Sequence, residues 1–72
     1  MKLAIFNTES NEIVSRCLTS DMVDYQMYGL NKVKHNYLKV IESPKDNEIC
    51  INDKGSLIFK DNHKPKFLEL NY

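Results

Sequence analysis

At 72 residues the chain has room for a single domain. A domain of this size buries only about 60% of the surface its unfolded form exposes, so a disulfide, a metal or a partner is the usual supplement. Ten basic and ten acidic side chains cancel, and 42% of the residues are apolar, which excludes a disordered segment and any global field drawing the chain to nucleic acid or membrane.

The longest apolar run, Leu3 to Phe6, is too short for a bilayer span or the core of a signal peptide, so the expectation is synthesis in the cytoplasm without export. Lys2–Phe6 reads as a short strand, and Asn7–Asn11 as a cluster of turn formers. Glu12–Leu18 is a second strand, with Val14, Arg16 and Leu18 on one face and Ile13, Ser15 and Cys17 on the other. Together they predict an N-terminal hairpin.

Thr19-Ser20-Asp21 is a helix start signal, since each side chain can accept from an orphan backbone N–H. The predicted helix covers Asp21 to Tyr28 and stops at Gly29, which suits the left-handed position after a helix, with Leu30 making the accompanying contact. Met22, Tyr25 and Gln26 share one side, and Val23 and Met27 are neighbours at i, i+4.

Tyr37–Ile41 reads as the next strand, ended by Ser43-Pro44, and Pro44–Asn47 as a turn. Glu48–Ile51 and Ser56–Lys60, with Ile51 and Leu57 expected in the core, are two strands joined by Asn52-Asp-Lys-Gly55, the pattern of a type I turn closed by a left-handed residue. Asp61–Pro65 is a further turn, and Lys66–Leu70 is a candidate edge strand with Pro65 just outside it. The order β-β-α-β-β-β predicts an α+β fold: one small antiparallel sheet of five or six strands carrying one short helix.

Cys17, His35, Cys50 and His63 are zinc ligands by residue type, but they lack the close pairing by which one turn supplies two ligands. The two cysteines are expected to be buried, unlinked thiols. Neither sits at a helix N-terminus, and no Gly-rich loop or nucleophile elbow is present. The expectation is a non-enzymatic chain without cofactor, metal or small-molecule substrate.

Lys32, Lys34, His35, Tyr37 and Lys39 form a basic segment that could track a single strand of nucleic acid while Tyr37 stacks, and His63-Lys-Pro-Lys66 adds a second cluster. Zero net charge and a single arginine, Arg16, favour a solvated face instead. The crowded helix end is the stronger candidate, because one face of so short a helix cannot hide all its tyrosines and methionines, and both types are favoured at interfaces. Tyr25, Met27, Tyr28 and Leu30, with the C-terminal Phe67 and Leu70, are therefore the expected partner surface. That C-terminal segment either pairs in its own sheet or offers an edge to another chain.

Met1–Ile13, Val40–Asp46 and Asn52–Lys60 resemble small tail-module proteins of siphophages that infect Gram-positive bacteria, such as Bacillus phages. Their style is an opening hairpin, an acidic helix with an aromatic end, and a closing β-meander. The resemblance implies a virion or tail-assembly component with protein partners or self-association, and carries over no functional residue. The alternatives are a small phage-encoded regulator that binds a host protein and, third, a weak single-stranded nucleic-acid binder.

Overall fold

The computed structural model describes residues 2–31 and 37–68, the backbone alone at 29–31. Within these residues five strands and one α-helix follow in the order β1 (Leu3–Asn7), β2 (Glu12–Leu18), α1 (Ser20–Asn31), β3 (Leu38–Glu42), β4 (Ile49–Ile51) and β5 (Leu57–Phe59). A single turn of 3₁₀ helix, Asp46–Glu48, precedes β4. The class is α+β, as the sequence pattern predicts.

One sheet was the expectation, and two are found. A three-stranded antiparallel sheet has the order β2-β1-β3, and β4 pairs with β5 alone. The reason lies in β1. Its residues Leu3 to Phe6 are all buried, so alternate side chains need cover on opposite faces of the sheet. Leu3 and Ile5 pack with Val23 and Met27 of α1, together with Leu18, Leu38 and Val40. Ala4 and Phe6 pack on the other side with Ile13, Ile41 and Ile49, against which Leu57 and Phe59 also rest. The helix covers one face and the β4–β5 hairpin the other.

The hairpin turns follow their side chains. In the first, Asn7 Oδ1 accepts from the Glu9 and Ser10 amides at 2.9 and 3.1 Å, and Asn11 takes φ 60°, a conformation that asparagine tolerates better than most residues. In the second, the Gly55 amide donates to the Asn52 carbonyl at 3.0 Å, and Gly55 has φ 81°. Asn52 Oδ1 also accepts from Lys54 and Ser56, both at 2.9 Å. This is the expected turn, with its left-handed closing residue.

Four further expectations change. The helix runs on past Gly29 to Asn31, because a glycine near a helix end costs only about 1 kcal/mol relative to alanine and does not compel a stop. Its start is as read: the Thr19 hydroxyl lies 3.4 Å from the Met22 amide, and the Thr19 carbonyl accepts from Val23 at 3.1 Å. Within the described residues the sixth strand is one bridge, Ile41 to Phe67, flanked by bonds from the Glu42 amide to the Lys66 carbonyl and from the Leu68 amide to the Val40 carbonyl. The segment thus pairs with β3 of its own chain, and Leu70 lies outside the described residues.

Ile51, read as core, is 69% exposed at the end of the β4–β5 ladder. Cys17, read as buried, is exposed, and Cys50 is half-buried; both thiols are free. Register explains Cys17. Where β1 advances from Leu3 to Phe6, β2 must travel from Leu18 to Ile13, so bulges interrupt the alternation. Cys17 takes φ 60° there, and its amide donates to Ser43 Oγ at 3.0 Å.

Polar contacts tie β2 to its surroundings. Arg16 Nη2 reaches Asp46 Oδ1 at 2.7 Å, joining β2 to the 3₁₀ turn. Glu12 accepts hydrogen bonds from Ser56, beyond the second turn, and from Ser10.

The layered core predicts unequal costs. Ile5→Ala, at a fully buried position, should lose about 2–5 kcal/mol in urea titration. Ile51→Ala should stay within about 0.5 kcal/mol, as exposed positions away from special features do.

A pH dependence follows from Glu12. Hydrogen bonds from Ser56 and then Ser10, with the Lys54 charge acting against slight desolvation, hold its carboxyl below the ordinary range. A carboxyl lowered on folding contributes stability above its unfolded pKa and loses it as pH falls through the folded one. Glu12→Gln should therefore weaken the protein at neutral pH and flatten its acid limb, read as urea midpoints across the acid range.

Candidate protein-docking surface

Helix geometry decides which side chains α1 can hide. At about 100° per residue, Val23 and Met27 fall within about 40° of each other and face the sheet. Tyr25 lies about 180° from their midpoint, with Asp21 and Met22 about 40° and 60° to either side of it and Tyr28 about 60° away. Exposures agree with this wheel. Val23 and Met27 are buried, whereas Met22 is 53%, Tyr28 66% and Tyr25 83% exposed.

Met27, expected at the partner surface, is therefore core, 3% exposed among Leu3, Ile5 and Leu18. Sequence crowding could say that some of these side chains must be outside, but not which. The i, i+4 pairing of Val23 with Met27 was the signal that separates them. The Leu30 side chain and Leu70 lie outside the described residues. Phe67 is 56% exposed and packs edge-on to Phe6, with ring centroids 6.1 Å apart, while Phe59 meets Phe6 at 5.9 Å.

The outward helix face has a definite chemistry. The sequence of α1, Ser-Asp-Met-Val-Asp-Tyr-Gln-Met-Tyr-Gly-Leu-Asn, contains two aspartates and no basic residue. Asp21 sits in the first turn, where a negative charge suits the helix dipole. Tyrosine offers a large apolar ring with a polar tip and only two side-chain torsions to freeze on contact. Aspartates beside such rings select cationic partners, because a lysine or arginine can lie over a tyrosine face while meeting a carboxylate.

The basic residues gather elsewhere. Lys39 is exposed on β3, while Lys32, Lys34 and His35 lie outside the described residues, so their expected patch with Lys39 is not assembled here. A different set is brought together. Lys45, from the turn after β3, and His63, Lys64 and Lys66, from the segment after β5, line an open groove of about 310 Å³. Glu42 and Glu48 share this groove, and Glu48 Oε2 lies 3.6 Å from His63 Nδ1. The His63-Lys-Pro-Lys66 cluster is visible in the sequence; its meeting with Lys45 depends on the fold.

Among the described residues, no three His, Cys, Asp or Glu side chains gather as a metal ion needs, and no helix is long and apolar enough to cross a membrane. The exposed Cys17 thiol has Ser43 Oγ 3.9 Å away. No protein-family model, curated protein or solved structure matches the chain.

The two thiols should differ in a labelling experiment. Ellman's reagent added to native protein should modify Cys17 promptly and Cys50 more slowly. Denaturation should bring Cys50 to the rate of Cys17.

Proposed function

We propose that the chain is a non-enzymatic protein-docking module whose contact surface is the outward face of α1, acting in the assembly of a phage tail or baseplate. The observation that carries this reading is the exposure of Tyr25 and Tyr28, 83% and 66%, beside Met22 and Asp21 on one stripe. Surface aromatics set among charges are the residue types that supply anchors at protein interfaces. A helix held to the sheet by two buried side chains leaves its outer stripe rigidly presented, which limits the entropy lost on docking. The tail setting draws support from the resemblance of Met1–Ile13, Val40–Asp46 and Asn52–Lys60 to small siphophage tail-module proteins.

Site-specific photo-crosslinking tests the docking surface. A photoreactive phenylalanine analogue replaces Tyr25 in one variant and Lys54, on the tip of the second hairpin, in another, each produced in its phage-infected cells. The Tyr25 variant should yield discrete protein adducts that the Lys54 variant does not. Adducts to virion proteins support the tail setting, and adducts to host proteins alone would move the function to host control. Equal or absent adducts at the two positions would overturn the docking surface.

A further inference from the structure

The chain separates its charges. Residues 20–31 carry two acidic and no basic side chains, so with a net charge of zero the remainder carries an excess of two positive charges. Part of that excess gathers at the groove lined by Lys45, His63, Lys64 and Lys66, and Phe67, next to Lys66 in the chain, is more than half exposed. Tyr25, Met22 and Asp21 of α1 are the chemical complement of this groove: a carboxylate for ammonium groups, and a tyrosine ring for lysine stems and an exposed phenylalanine.

From this complementarity we propose that a second copy of the chain occupies the docking surface, the outward face of α1 in one copy seating on the lysine groove of the next. The inference rests on the docking role of α1 and names its occupant. The two contact surfaces are different patches of one molecule, so the contact is heterologous: each copy retains one unused patch, and association continues until a ring closes or a filament grows. The carboxylates within the groove, Glu42 and Glu48, temper its charge, so the association is expected to be weak and reversible. Exposed charges separated by water are screened within about 10 Å at 0.1 M salt, which makes the assembly sensitive to ionic strength.

The test is sedimentation velocity on the purified full chain, at low salt and at about 0.5 M NaCl, where screening is nearly complete. The wild type should sediment above its monomer mass of 8.4 kDa at low salt and return toward it at high salt. D21K/Y25K reverses the helix face, and K64E/K66E reverses the groove. Each variant alone should lose the assembly at low salt while keeping the circular dichroism spectrum of the wild type.

An equal mixture of the two should regain a heterodimer, because one partner retains an intact helix face and the other an intact groove. A variant that loses the spectrum is replaced by its single-site version, Y25K or K64E, under the same expectation. A monomeric wild type at low salt, or a mixture that stays monomeric while both variants are folded, would overturn the second copy as occupant. Tyr25 adducts to a different protein would leave the docking role standing in that event, and their absence would remove both.

Discussion

The fold depends on a central strand that is buried on both faces. β1 lies between β2 and β3, and its Leu3, Ala4, Ile5 and Phe6 are all withdrawn from solvent. Strands covered on both faces read as continuous apolar runs rather than alternating ones, and Leu3–Phe6 is the longest such run in the chain. One layer of cover cannot satisfy it. The helix supplies Val23 and Met27 to one side, and the β4–β5 hairpin supplies Ile49, Leu57 and Phe59 to the other. Each covering layer is thin, so removal of either exposes half of the core.

That arrangement also decides what is left for partners. Two inward side chains are enough to seat α1, which turns Met22, Tyr25 and Tyr28 outward with no part in the core. The rim of the sheet is treated differently. Residues 66–68 pair along β3, and bulges interrupt β2, so neither side of the three-stranded sheet offers a long regular edge for another strand. The helix face is thus an exposed surface where aromatic rings and charges occur together. The bulges in turn expose Cys17, hold its backbone at positive φ beside Ser43, and place Arg16 against Asp46. The proposed docking role therefore rests on packing: the apolar run demands two covers, and the helix that provides one presents its outer stripe.

Local signals in the sequence carried the elements well. Asn52–Gly55 announces its turn because the side chain of Asn52 and the positive φ of Gly55 are local requirements. Thr19 likewise marks the helix start. The second sheet was not legible, since the alternation of a short strand does not say which sheet it joins, and the unbroken apolar run of β1 predicts a strand without saying how many layers cover it. The exposure of Cys17 was hidden for a related reason: inserted residues in β2 are set by pairing with β1, which is long-range information. Ile51 failed similarly, as it lies at the end of a short ladder where the cover ends. At the candidate site, Tyr25 and Tyr28 were found by crowding alone, while Met27 needed the helical wheel to return it to the core. The groove was half legible, because Lys64 and Lys66 are near in sequence and Lys45 is brought to them by the chain's return.

Native-state amide hydrogen exchange tests the double cover most directly, since it reads the opening free energy of each strand separately. The amides of Ala4, Ile5 and Phe6 should exchange only through global unfolding, with free energies equal to that from urea titration and higher than those of α1 and the β4–β5 hairpin. Exchange of the β1 amides through local opening, at a lower free energy than the helix, would contradict a fold built around that strand.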